Sequence, residues 1–301
     1  MIITKRRIYL TLLLVALAYI LVKANCPVAL ATSSSTSLDS PNETQTPIPA
    51  QFTVATYNIQ RSKGLDNDRD INRAVGVLRN AYADIIGLNE LSGTLFYGLT
   101  DQAEQIGSAL GFSWLFAPTY RLLFQDHLGN GLVSRWPVSS WKIYPLVEDE
   151  TGKQTFRNMI VASVPMQDAI LHIVITHLDR SAVRPRQLQQ VLKLYKSLPE
   201  PAILLGDLNT KKFDPQMVQF FADSLASDAI TVALGRKNRR LDWIMSRGLT
   251  VVSGGMQERG ISDHPAYWVK FQLPGTSKKP KGQKREKIDS LAAGGTDVMN
   301  L

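Results

Sequence analysis

The chain has 301 residues, 44% of them hydrophobic and 20% charged, which fits one soluble globular domain of ordinary size with tails. Its net charge of +8 is carried mostly by the termini: four basic and two acidic residues precede Phe52, and six basic and three acidic follow Leu273, leaving 24 basic against 21 acidic between them. That excludes reading the partner of the folded part off net charge, and the single cysteine, Cys26, excludes an intramolecular disulfide, so packing must hold the fold.

In chain order, residues 1–7 are short and positive, and residues 8–22 are an apolar run interrupted by Tyr9 and Thr11. Fifteen such residues stand at the upper limit for a signal-peptide core and short of the roughly 20 that a spanning helix prefers. Ala29-Leu30-Ala31 has the form of a cleavage site, but Lys23 separates it from the apolar run. Residues 1–31 are therefore expected to be a signal peptide or an N-terminal membrane anchor, with the domain exported or tethered outside the cytoplasm. Lys23-Ala24-Asn25-Cys26 is a poor lipoprotein box, because the positions before the cysteine are not small and apolar. Residues 32–51, rich in Ser, Thr and Pro, read as a flexible linker.

A domain is expected over residues 52–273. Residues 52–59 alternate as a strand, 70–80 carry Ile71, Ala74, Val75 and Leu78 at helical spacing, and 84–90 form a buried strand ending in Glu90. A helix near 101–110 and a strand near 114–117 follow. The middle is richer in strands, at 131–134, 138–144, 158–164 and 170–176, and an amphipathic helix over 184–197 leads to the apolar strand that begins at Ala202. A helix at 214–225 and strands at 241–245, 249–253 and 266–272 complete it. Consecutive strands alternating with helical crossovers predict two mixed sheets packed face to face with helices outside. Residues 274–301 are a basic tail with nothing to bury, expected to be disordered.

Polar residues of one chemical kind stand at the ends of these strands: Asn58, Glu90, His177, Asp207 with Asn209, Asp242, and Asp263 with His264. Singly, each has an ordinary explanation as a turn former, a cap or an ion-pair partner. Strand ends of one sheet edge converge on one cleft, so the set together points to a site. Carboxylates and amides are hard oxygen ligands suited to Mg2+ or Mn2+, whereas zinc would ask for more His or Cys. Beside a phosphate ester, a dication, phosphoryl-oxygen donors, a base for water and a proton source would be needed, and each role has a candidate here.

The ordered motifs Tyr57-Asn58-Ile59, Leu88-Asn89-Glu90-Leu91, Gly129-Asn130-Gly131-Leu132-Val133-Ser134-Arg135-Trp136-Pro137, Thr176-His177-Leu178, Leu205-Gly206-Asp207-Leu208-Asn209, Leu241-Asp242-Trp243-Ile244 and Ser262-Asp263-His264-Pro265 resemble those of the endonuclease/exonuclease/phosphatase superfamily. The resemblance runs over residues 52–272 and implies a four-layer α/β/β/α sandwich with Mg2+-dependent hydrolysis of phosphate esters. It implies Asn58, Glu90 and Asp263 as metal ligands, Asp207 as the group that orients or deprotonates water, and Asn209 as a phosphate donor. His264, oriented by Asp242, would contact the scissile phosphate, and His177 would stabilise the transition state or help protonate the leaving group. Asn89-Glu90 replaces the commoner Gln-Glu. Trp136 stands where the deoxyribonuclease-like pattern carries a glutamate supporting the equivalent of His177, which leaves the partner of His177 open.

The expected substrate is a phosphodiester, as for a nuclease, with Arg121, Arg135, Arg157, Arg180 and Arg184 near the cleft for phosphate contacts. A phosphatase or phospholipase acting on phosphoinositides, sphingolipids or sugar phosphates is the alternative. A non-catalytic envelope-anchored module would show broken catalytic positions, and none is broken. A further possibility is that the basic tail itself binds anionic lipid or nucleic acid. The protein is expected to be a monomer.

Overall fold

The computed structural model describes residues 2–24, 32–33, 49–93, 100–120, 127–147, 156–167, 169–235, 240–257 and 262–275. The expected disordered tail beyond residue 275 and Arg121 lie outside them. Helix α1 (Ile2–Ala24) covers the apolar run, and its side chains from Lys5 to Ala18 are exposed. Among the described residues no helix is long and apolar enough to cross a membrane.

The strands are β1 (Thr32–Ser33), β2 (Gln51–Asn58), β3 (Ile85–Gly93), β4 (Ser113–Tyr120), β5 (His127–Ser134), β6 (Ser140–Pro145), β7 (Asn158–Pro165), β8 (Ile170–Thr176), β9 (Ala202–Asp207), β10 (Ser227–Asp228), β11 (Asp242–Arg247), β12 (Thr250–Gln257) and β13 (Ala266–Gln272). They build a seven-stranded sheet of order β1-β4-β5-β3-β2-β13-β12 and a six-stranded sheet of order β10-β11-β9-β8-β7-β6. Both are mixed: β2 runs parallel to β3, and β8 parallel to β9. Thr32 and Ser33, in the segment expected as linker, pair with β4.

Three apolar clusters account for four layers. One lies between the sheets and holds Phe52, Val54, Ile85, Ile173, Ile175, Ile203, Leu205 and Ile244. The second packs α2 (Ile71–Asn80) and α3 (Gln102–Leu110) on the outside of the first sheet, and the third packs α4 (Arg184–Ser197) and α5 (Pro215–Asp223) on the outside of the other. Strands buried on both faces need no polar alternation, which is why β9 and the start of β3 read as apolar runs, while β2 alternates in sequence yet is buried from Phe52 onward. Three of the helices start where expected, on aspartate caps: Asp70 accepts from the Asn72 N–H, Asp101 from Glu104 and Asp214 from Gln216. A short helix α6 (Ala229–Leu234), capped by Asp228, was not foreseen from the sequence. Its six residues are too few to show a helical period, and it packs on β12 and β11 with Ala229 and Ile230 in the inter-sheet core.

Candidate active site

Strand parity decides where the polar residues go. In β2, Phe52 and Val54 face the other sheet; in β9, Ile203 and Leu205 do; in β11, Ile244 does; in β8, Ile173 and Ile175 do. Asn58, Asp207, Asp242 and His177 continue those same parities, so all four emerge at one end of the seam between the sheets. Glu90 breaks the rule in an informative way. Strict alternation would place it under the helices with Ile86 and Leu88, but the β3–β5 register shifts between Leu88 and Leu91, and Glu90 takes a left-handed φ of 55°. Leu91 then fills the helix-facing place, and the Glu90 carboxylate reaches Asn58 Nδ2 at 3.0 Å.

Asp207 sits at the centre. Its Oδ2 lies 3.3 Å from Asn58 Nδ2, 3.6 Å from His177 Nε2 and 3.7 Å from His264 Nε2. Its main-chain N–H donates to Asn89 Oδ1 at 2.9 Å, and it is paired in register with Asp242 on the neighbouring strand. Gly206 makes this possible: at φ 131°, an added Cβ would come within 1.9 Å of the Thr176 carbonyl oxygen. Burial, and then the facing Asp242 carboxylate, push the Asp207 pKa up, against the His264 charge and two hydrogen bonds that pull it down.

The two histidines are driven to opposite charge states. His264 Nδ1 lies 2.8 Å from Asp242 Oδ2. Burial pulls its pKa down, but the Asp242 hydrogen bond and the charges of Asp242, Asp207 and Asp263 outweigh it and hold it at about 9, so it is an imidazolium at neutral pH. His177 is fully enclosed, and burial, then the charges of Arg157, His264 and Arg180, push its pKa well below the usual range. Arg157 Nη1 lies 3.3 Å from His177 Nδ1. A guanidinium can only donate, so in the tautomer where Nδ1 accepts from Arg157 the neutral ring carries its proton on Nε2. Asn209, held at a left-handed φ of 45°, has its amide oriented by Arg180 Nε donating to Oδ1 at 3.1 Å and by Nδ2 donating to the Leu178 carbonyl at 2.8 Å. Nδ2 then also lies 3.2 Å from His177 Nε2. In that tautomer two N–H groups converge with no acceptor shared between them among the described residues, a place suited to an anionic oxygen.

The family model described as Endonuclease/Exonuclease/phosphatase family matches residues 55–264. The chain belongs to that family. Among curated proteins, no sequence matches significantly. Among solved structures, an endonuclease/exonuclease/phosphatase from Beutenbergia cavernae is 23% identical with a TM-score of 0.61, covering 75% of this chain and 72% of its own. D. rerio TDP2 complexed with a single-strand DNA product is 20% identical with a TM-score of 0.56, over 75% and 100%. A mannosyl-6-phosphatase from Bacteroides thetaiotaomicron is 16% identical with a TM-score of 0.55, over 74% and 100%. At these identities the structural likeness is one of fold, a phosphoester-hydrolase fold shared by neighbours with different substrates.

Endonuclease/exonuclease/phosphatase chemistry calls for a divalent cation, and the donor set can be tested against that. Asp207, Asp242 and His264 present ligand atoms within 4.8 Å of one another, and Asp242 Oδ1 is buried without a hydrogen-bond partner. His264 Nδ1 is engaged by Asp242, so only its Nε2 faces the cluster. The other donors are the carboxylates of Glu90 and Asp207, which accept from Asn58 Nδ2 at 3.0 and 3.3 Å, and Asn58 Oδ1, which accepts from the Gln60 N–H at 3.2 Å. Ser262 Oγ donates to the Asn58 carbonyl at 2.7 Å, which brings half-buried Asp263 alongside the end of β2. Clustered buried carboxylates are costly unless neutralised, so a hard oxygen-seeking cation fits this half of the site.

One expectation is corrected, and the open partner of His177 is found. Arg135 lies at the opposite end of the sheet, where its N–H donates to the Asp84 carbonyl before β3 starts and its Nε pairs with Asp84 at 2.6 Å. Trp136 is buried there against Phe52, so it is no neighbour of His177, whose partner is Arg157 instead. The sequence also gave no role to Asn130 and Asn158. Asn89 Nδ2 donates to Asn130 Oδ1 at 2.8 Å, and Asn130 Nδ2 to Asn158 Oδ1 at 2.9 Å, a buried amide chain beneath Asp207 that ties both sheets. The readable signal was an amide set among the small and apolar residues of Gly129-Asn130-Gly131-Leu132 and heading the apolar strand Asn158-Met159-Ile160.

Proposed function

We propose that the protein hydrolyses phosphodiesters by attack of water in line with the leaving oxygen, with Mg2+ or Mn2+ as cofactor. The observation that supports this most is the convergence at Asp207 Oδ2 of a charged histidine, a neutral histidine that donates through Nε2, and Asn58 joined to Glu90. The dication, when bound by Asn58, Glu90 and Asp263, supplies a Lewis acid that offsets the charge developing on a phosphoryl oxygen. Asp207, with a raised pKa, orients water and takes its proton. His264, kept protonated by Asp242, donates to a non-bridging oxygen, while Asn209 Nδ2 and His177 Nε2 donate to another. His177, enclosed and neutral at rest, is suited to hydrogen bonding rather than to acting as the resting acid.

Helix α1 with its basic start supports the further proposal that the N-terminus exports or tethers the domain outside the cytoplasm. We also propose that it acts as a monomer. Purified protein offered plasmid DNA, inositol phosphates and a phospholipid, each with Mg2+ and with chelator, tests the reading. Chelator-sensitive cleavage of DNA is the expected result, cleavage of only a monoester would replace it by a phosphatase, and turnover that survives chelation would refute the cation dependence.

A further inference from the structure

The site is polarised. On one side stand Asp207, Asp242, Glu90 and Asp263, where a cation fits. On the other, three guanidinium groups back the two residues that face the scissile phosphate. Arg157 meets His177 Nδ1 at 3.3 Å, Arg180 Nε donates to Asn209 Oδ1 at 3.1 Å, and Arg184 Nη1 donates to the Asn209 carbonyl at 2.6 Å. Among the described residues two carboxylates answer them: Asp179 lies 3.8 Å from Arg157, and Asp214 lies 3.5 Å from Arg184. Arg180 has no ion pair among the described residues and is exposed, although its amide contact holds Nε in place. A guanidinium held by Nε alone keeps the planar edge of its two terminal nitrogens available for bidentate contact with an oxyanion. Arginines used only to position Asn209 would need no such surplus charge.

We infer that Arg180, with Arg157 and Arg184 beside it, forms a second anion subsite that takes a phosphate group adjacent to the one being cleaved. This rests on the hydrolase reading above and narrows it to substrates carrying two neighbouring phosphates. Arg180 holds the amide of Asn209, whose Nδ2 lies 3.2 Å from His177 Nε2, so the guanidinium stands one residue away from both groups that face the scissile phosphate.

Calorimetry on the full chain in EDTA, where no turnover occurs, tests it with two ligand pairs. One pair is a thymidine dinucleotide with and without a 5′-phosphate; the other is inositol 4,5-bisphosphate and inositol 4-phosphate. The added phosphate is expected to tighten binding about tenfold in at least one pair, and that pair names the source of the second phosphate. In the dinucleotide pair the gain should bring a log-log salt slope steeper by about 0.7. Arg180→Gln should erase the gain and Arg180→Lys should keep part of it, each checked for folding by circular dichroism. Equal affinity within both pairs, or a gain that persists in Arg180→Gln, would overturn the subsite. Failure of the hydrolase reading shows separately, as absence of turnover with Mg2+ whatever the binding preference.

Discussion

The two halves of the site are built by different means, and the contrast shows where selection has worked against stability. The acidic half sets Asp207 opposite Asp242 in strand register, buried, with one Asp242 oxygen unpartnered. The arginine half is half-exposed, with each guanidinium answered by an amide, a carbonyl or a carboxylate. A buried like-charge pair costs folding free energy and is kept where chemistry needs it, whereas an exposed cationic rim costs little and tunes binding.

The sharpest way to break this contrast is Asp207→Asn. It should lower kcat by about a thousandfold or more while leaving the melting temperature unchanged or raised, because it removes the base together with the repulsion. A loss of both activity and stability would mean that the carboxylate is structural. His264→Ala should cost about a hundred- to ten-thousandfold in kcat, read on any substrate that the panel identifies.

The pH profile separates the halves next. In the proposed mechanism the charged form of His264 is the working form, so the rate should fall as pH rises through about 9. The stability contributed by the His264–Asp242 pair should follow the same sign, fully present below the ordinary histidine range and lost through about 9. Asp242→Asn should move that alkaline limb down; an unmoved limb would remove Asp242 from its role.

Smaller effects probe the scaffold. Asn89→Ala strands the Asp207 N–H and the Asn130 amide oxygen in the interior and should cost roughly 1–3 kcal/mol in denaturant unfolding. Arg135→Ala, at the far end of the sheet with its side chain half-exposed, should cost no more than about 1 kcal/mol and leave turnover alone.

Much of this was legible in the sequence because it follows from period-two alternation. Once Phe52, Val54, Ile203 and Leu205 are taken as inward-facing, Asn58 and Asp207 must face inward too, and the ordered motifs supply their companions. What was not legible depends on a bulge or on three-dimensional neighbours. The bulge that turns Glu90 out of the helix-facing layer has no residue signature in Leu88-Asn89-Glu90-Leu91, which contains no glycine. The Arg157–His177 contact joins the residue before β7 to the residue after β8, its neighbour in the sheet, and the placement of Arg135 follows from the direction in which β5 runs. Helix α6 is too short to carry a period.

The central claim is that the seam gathers one cation-binding acidic cluster beside an anion-binding face. Titrating the metal-free full chain with Mg2+ while following cleavage of a simple phosphodiester such as bis(4-nitrophenyl) phosphate tests it most directly. Saturable, EDTA-reversible activation in the native chain, lost in Glu90→Gln, is the predicted result. Turnover that ignores both Mg2+ and the Glu90→Gln change would contradict it.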